Sequence, residues 1–140
     1  MKTADFFVER LKAWGVKRIY GYSGDGINGV IGAIQRDGEI DFIQPRHEEM
    51  GAFMAVADAK FTGDLGVCLA TGGPGATHLI TGLYDAKLDH MPVLAICGQA
   101  EATVRGGSYH SRPRRRNHRR LFGSIDPSWG GSVEGRHSHA

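Results

Sequence analysis

Gly66-Val67-Cys68-Leu69-Ala70-Thr71-Gly72-Gly73-Pro74-Gly75-Ala76-Thr77-His78 is the stretch from which the rest of the chain is read. Its first five residues are apolar or small without alternation, the pattern of a strand buried on both faces of a parallel sheet. Thr71 to Gly75 then forms a tight loop, and Leu79, Ile80, Leu83 and Tyr84 recur at helical spacing. Pro92 to Cys97 reads as another buried strand. A strand that passes through a glycine turn into a helix, and on to a second strand, is one βαβ unit.

The same unit recurs upstream. Thr3 is placed to cap a helix carrying Phe7, Leu11 and Trp14 on one face, with Gly15 as its stop. A strand follows from Lys17 to Tyr20, then the glycine-rich Gly21-Tyr22-Ser23-Gly24-Asp25-Gly26, and a helix marked by Ile27, Val30, Ile31 and Ile34 that ends near Gly38. Ile40 to Gln44 alternates as a strand. After Pro45-Arg46-His47, the residues Met50, Phe53, Met54, Ala57 and Phe61 predict a longer helix stopped at Gly63. The expected fold class is α/β, a parallel sheet with helices on both faces and right-handed crossovers.

The chain has 140 residues and a formal net charge of +2, but the charge is unevenly placed. Residues 1–110 carry 10 basic and 13 acidic side chains, whereas residues 111–140 carry 7 Arg and 2 acids. Only the latter segment argues for an acidic partner. Arg112, Arg114, Arg115, Arg116, Arg119 and Arg120 cluster there without helical or strand period, so it is expected to be a disordered basic tail. No apolar run has the ~18 to 20 residues of a membrane span, and the amino terminus lacks a hydrophobic leader. The expected setting is soluble and cytoplasmic, without membrane contact. Cys68 and Cys97 stand singly inside apolar strands, so buried thiols are expected rather than a disulfide, and no metal ligands are expected.

Four loops follow the carboxyl ends of the predicted strands: Gly21 to Gly26, Pro45 to Glu49, Thr71 to Gly75, and Gly98-Gln99. In an open parallel sheet these lie along one edge, where ligands bind. Gly24-Asp25-Gly26-Ile27-Asn28-Gly29 satisfies GxGxxG, with Glu48 nineteen residues beyond Gly29. That is the form of a Rossmann dinucleotide fingerprint, and also what a glycine-rich chain yields by accident. The turn at Gly72 to Gly75 lacks the Lys-Ser/Thr ending of a phosphate-binding Walker loop, which disfavours nucleoside triphosphates.

Taken together, Ala13-Trp14-Gly15-Val16-Lys17-Arg18-Ile19-Tyr20-Gly21, Arg46-His47-Glu48-Glu49 with Ala52-Phe53-Met54-Ala55, Thr71 to Thr77, Pro92-Val93-Leu94 and Gly98-Gln99 resemble a known family. It is the pyrimidine-binding amino-terminal domain of thiamine diphosphate enzymes, in the pyruvate oxidase and acetolactate synthase group. The resemblance implies that Glu48 is the catalytic glutamate, hydrogen-bonding N1′ of the aminopyrimidine and favouring the tautomer that removes the thiazolium C2 proton. It implies a 2-oxo acid such as pyruvate as substrate. Tyr22, Ser23, Gly24, Pro74, His78 and Gln99 are the further cofactor-binding residues it suggests. His47 is read as orienting the loop, as acting in substrate chemistry, or equally as an ordinary hydrogen-bonded loop histidine. His78 stands where acetolactate synthases usually have Asn, which leans toward the oxidase side.

The chain also departs from that family. Mg²⁺ and the diphosphate are held there by a separate domain with a GDG turn followed by Asn, and FAD in the oxidases by a middle domain. Gly24-Asp25-Gly26 has the letters of that turn in the wrong place. The expected domains are therefore 1–110, a pyrimidine half-site, and 111–140, a segment foreign to the family and consistent with a frameshift or truncation near codon 110. Alone, such a chain is expected not to turn over substrate and to need a homo-oligomer or a diphosphate-binding domain in trans. The alternatives are a nucleic-acid-binding protein that uses the Arg-rich tail, and a Rossmann nucleotide-binding module.

Overall fold

The computed structural model describes residues 2–99 of the protein. The boundary expected at residue 110 and the Arg-rich segment 111–140 lie outside the described residues. The elements follow the order α1 (Thr3–Ala13), β1 (Arg18–Gly21), a 3₁₀ turn (Asp25–Ile27), α2 (Asn28–Asp37), β2 (Asp41–Ile43), α3 (Glu48–Thr62), β3 (Gly66–Ala70), α4 (Pro74–His78), α5 (Ile80–Leu88) and β4 (Val93–Cys97). The four strands pair in parallel in the order β2-β1-β3-β4. This is the expected α/β class.

Alternation along the strands divides the core in two. Ile19, Val67 and Leu69 face α1 and α2, packing with Val8, Leu11, Ala33 and Ile34. Tyr20, Cys68, Ala70 and Val93 face α3 and α5, packing with Ala52, Ala55, Val56, Ala59 and Ala86. Burying β3 on both faces requires every one of its residues to be apolar, which is why it shows no polar alternation.

The two faces are built differently. The α1/α2 face uses branched side chains, whereas α3 presents Gly51, Ala52, Ala55, Val56 and Ala59 and so lies very close to its neighbours. A Cβ at Gly66 in β3 would stand 2.1 Å from the Ala55 carbonyl oxygen, and one at Gly82 in α5 would stand 2.5 Å from the Ala52 Cβ. An ion pair between Arg18 and Asp58, 2.7 Å, ties β1 to α3 as well.

Three local expectations are corrected. The cap of α1 is Lys2, whose backbone N–H donates to the Asp5 carboxylate at 2.9 Å; Thr3 is already helical. Trp14 is 60 % exposed and Phe61 92 % exposed, so neither lies on a buried face. Helical spacing had picked out the large side chains, but on α3 the small ones face inward, because only they allow the close approach. The expected fourth helix begins earlier, with Pro74 as the first residue of α4, and a second helix, α5, follows from Ile80.

Two glycine-to-alanine changes should have opposite signs. At Gly82 overpacking of about 1–3 kcal/mol outweighs the ~1 kcal/mol helix-propensity gain, so Gly82→Ala lowers the denaturation midpoint. A Cβ at Gly29, in the first turn of α2, meets nothing within 4 Å. Gly29→Ala therefore raises stability by about 0.5 kcal/mol, both effects being read by urea denaturation.

Candidate functional site

From β1 the chain steps to β2 on one side; from β3 it steps to β4 on the other. The strand order thus reverses between β1 and β3, and the carboxyl ends of these two strands open the crevice where a ligand is expected. The loops that the sequence singled out meet there.

Their meeting depends on missing side chains. Cβ atoms at Gly24 and Gly26 would fall 2.9 and 2.8 Å from the Thr71 side chain, and one at Gly72 would fall 2.7 Å from the Gly98 carbonyl oxygen. The loop after β1 therefore lies on the loop after β3, which lies on the loop after β4. Gly24 is extended rather than left-handed, at φ −170°. The space that Gly24 and Gly26 leave is filled by Thr71 of the protein itself, so these two glycines serve loop packing, while Gly29 faces open space. Gly73, by contrast, takes φ 68° and turns the chain into α4.

The fourth loop supplies the charge. After β2, Pro45 and Arg46 lead to His47, which caps α3: its Nδ1 accepts the backbone N–H of Glu49 at 3.3 Å. Glu48 is the first helical residue, with a side chain only 15 % exposed. Its Oε2 lies 3.0 Å from Nδ1 of His78, at the end of α4, and 3.9 Å from Nε2 of His47. Its Oε1 comes 3.4 Å from where a Cβ at Gly75 would be. The two imidazoles meet with centroids 4.5 Å apart, tilted by 32°. A carboxylate only accepts, so His78 Nδ1–H is the donor.

Opposing influences act on the Glu48 carboxyl. Burial raises its pKa, whereas the His78 hydrogen bond, the backbone N–H at its own position and the two imidazoles lower it, and the net direction is downward. The start of α3 acts in the same sense, since a helix N-terminus favours an anion. Sequence alone left that balance open; the histidine decides it.

The remaining candidates lie in the segments that follow the strand ends. The Tyr22 backbone N–H donates to the Leu69 carbonyl at 3.2 Å, pinning the β1 loop to β3, and its ring is partly exposed. Ser23 is exposed in the same loop. Pro74 is exposed at the start of α4, and the Gln99 Cα stands 3.5 Å from where a Cβ at Gly72 would be. Glu48 and His78 are in direct contact; Tyr22, Ser23, Gly24 and Gln99 belong to the adjoining loops, and Pro74 opens α4. The grouping of His47 with Glu48 and His78 was not foreseen, because the partners are about thirty positions apart. The available signal was that both loops follow strand ends on one edge of the sheet.

Among the described residues, no helix is long and apolar enough to cross a membrane. Cys68 and Cys97 are free thiols, and burial pushes them up to about 12 and about 11 respectively.

The chain is 52 % identical over 97 residues to a pyruvate oxidase of Lactiplantibacillus plantarum, a match covering 69 % of this chain and 16 % of that protein. It is 51 % identical over 102 residues to a putative thiamine pyrophosphate-containing protein of Bacillus subtilis, covering 72 % and 18 % respectively. To the large subunit of acetolactate synthase isozyme 2 of Escherichia coli it is 47 % identical over 106 residues, covering 76 % and 19 %. The chain thus spans less than a fifth of the length of these three relatives. The family model for the thiamine pyrophosphate enzyme, N-terminal TPP binding domain, matches residues 1–120. With its parallel sheet, its glycine turns and Glu48 at the sheet's switch point, the chain belongs to the family of thiamine pyrophosphate enzymes, as their N-terminal TPP-binding domain.

Proposed function

We propose that the domain is the pyrimidine half-site of a thiamine diphosphate enzyme acting on a 2-oxo acid such as pyruvate, with Glu48 as its catalytic residue. The observation that carries this reading is a largely buried carboxylate at the switch point of the sheet, beside the start of α4, whose Gly75 has no side chain to cover it. That surrounding suits a flat ring with a nitrogen able to share a proton. When bound, thiamine diphosphate supplies a carbanion-stabilising carbon for attack on the substrate carbonyl.

The chain's part is to hold that ring and manage one proton. Glu48 presents its carboxylate to the ring nitrogen, and His78 holds Oε2 so that the group cannot swing toward solvent. A ring entering the crevice excludes water and strengthens the desolvation that already opposes ionisation of Glu48, moving the carboxyl toward proton sharing. Tyr22, Ser23, Gly24, Pro74 and Gln99 form the walls on this reading. Mg²⁺, the diphosphate and, in an oxidase, FAD are assigned to other domains. The second half of the site comes from a diphosphate-binding domain in another subunit of a homo-oligomer or in trans, and this chain alone does not turn over substrate. The setting of this function is the cytoplasm.

Complementation tests it. The full chain is mixed with a separately made diphosphate domain of a relative, thiamine diphosphate, Mg²⁺ and pyruvate. Activity should appear and fall by about 10²–10⁴-fold in Glu48→Gln, the range of a lost acid–base group; equal turnover by both removes Glu48 from the mechanism. The acid profile of stability supplies a second prediction. Because the folded Glu48 carboxyl titrates below its ordinary value of 4.5, its ionised form stabilises the fold above roughly pH 4.5, and that contribution fades as pH falls through the folded value. The wild-type advantage over Glu48→Gln in thermal midpoint should be present at neutral pH and disappear on acidification. An advantage that grows in acid would contradict the assigned direction.

A further inference from the structure

Glu48, His47 and His78 bring together three ligand atoms, one from each residue, that lie within 4.8 Å of one another. We infer that His47, Glu48 and His78 form a binding site for a borderline divalent transition ion such as Zn²⁺, on the surface of the crevice between β1 and β3.

The donor set is the first argument. Two imidazoles and one carboxylate are the protein ligands of open zinc sites, in which solvent takes the fourth position. Here His47 and His78 are 47 % and 43 % exposed along their side chains while Glu48 is 15 % exposed, so the trio is anchored on one side and open to water on the other. Two nitrogen donors select against Mg²⁺, which prefers an all-oxygen octahedral shell.

The spacing is the second. Bonds of about 2.0–2.2 Å to a tetrahedral ion place neighbouring ligand atoms roughly 3.4 Å apart. The two separations from Glu48 Oε2, 3.0 Å to His78 Nδ1 and 3.9 Å to His47 Nε2, bracket that value. Moving both toward it requires side-chain adjustments of about half an ångström. The residues come from two separately anchored elements, α3 and α4, so the arrangement is fixed by the sheet rather than by a single helix terminus.

Binding has a definite proton balance. The neutral His78 ring moves the proton that Nδ1 now donates to Glu48 onto Nε2 and offers the Nδ1 lone pair to the ion. His47 Nδ1 now accepts the Glu49 N–H, so in the neutral ring Nε2 carries the proton. Ligation through Nε2 moves that proton to Nδ1, and the Glu49 N–H loses its acceptor. With both rings neutral no net proton is released, and the cap of α3 is exchanged for a metal ligand. Binding needs only these three side chains and is a property of the domain with no pyrimidine in the crevice.

The test is titration of the full chain with Zn²⁺ near neutral pH, followed by calorimetry. His90, His110, His118, His137 and His139 also offer nitrogen, so the reading is the difference between the wild type and a His47→Gln/His78→Gln variant. The variant should lose one equivalent of Zn²⁺, or bind it roughly a hundredfold or more weakly, because disturbing even a partner of a ligand weakens metal sites by about 10–100-fold. Mg²⁺ should give no corresponding heat. Nitrogen-detected NMR of the wild-type imidazoles decides the matter should the variant fail to fold: substoichiometric Zn²⁺ should shift the His47 and His78 signals first. The same stoichiometry and affinity in a folded variant, or shifts confined to the other histidines, overturns the inference.

Discussion

The close approach of α3 to β3 and α5 is the constraint on which the rest of the structure depends. Gly66 lies under the Ala55 carbonyl and Gly82 against Ala52, in both cases nearer than a β-carbon would permit. Contacts of this kind fix the height of a helix over its sheet, because sliding by one residue would bring a larger side chain against a backbone atom. Since Glu48 is the first residue of α3, the same contacts set where its carboxylate stands above the strand ends. The Arg18–Asp58 ion pair acts on the same helix one turn from its end. Functional geometry at the amino end of α3 is therefore held by packing along the helix further on.

Much of this was legible in the sequence, for identifiable reasons. A strand covered on both sides has no room for a polar residue, so Gly66 to Ala70 declared both itself and the helices around it. Gly38 and Gly63 marked helix ends because both adopt left-handed backbone, at φ 70° and 75°. Glu48 was legible through its motif, since it sits in a run, Arg46-His47-Glu48-Glu49, placed after a strand. The inward face of α3 was not legible. Periodicity weighs large apolar residues most, and Met50 and Phe61 point outward while Ala52, Ala55 and Ala59 point inward. Alanine carries little hydropathy, so a face selected for closeness rather than for buried area gives a weak signal.

The glycine-rich loop after β1 shows the same limit from another side. Its letters fit a nucleotide fingerprint and a diphosphate turn, yet Gly24 and Gly26 are required because Thr71 occupies the space beside them. A motif records where side chains are forbidden, not what does the forbidding. In this domain the neighbour is the protein's own β3 loop, which makes the crevice wall continuous from Tyr22 to Gln99.

His78 is where the physical argument goes beyond the motif. Burial on its own would raise the Glu48 carboxyl, yet the imidazole, reaching it from the end of α4, reverses the direction. Asparagine in that place would still donate a hydrogen bond but would carry no charge in either protonation state, so it would lower the carboxyl less. The residue at 78 is thus a means of setting how readily the buried carboxyl takes a proton without altering its position. Because α4 begins at Pro74, directly after the turn at Gly73, that setting is mechanically linked to the loop lining the crevice. A change in the turn would alter both the shape of the crevice and the proton affinity of Glu48, whereas a change of side chain at 78 acts on the proton affinity alone.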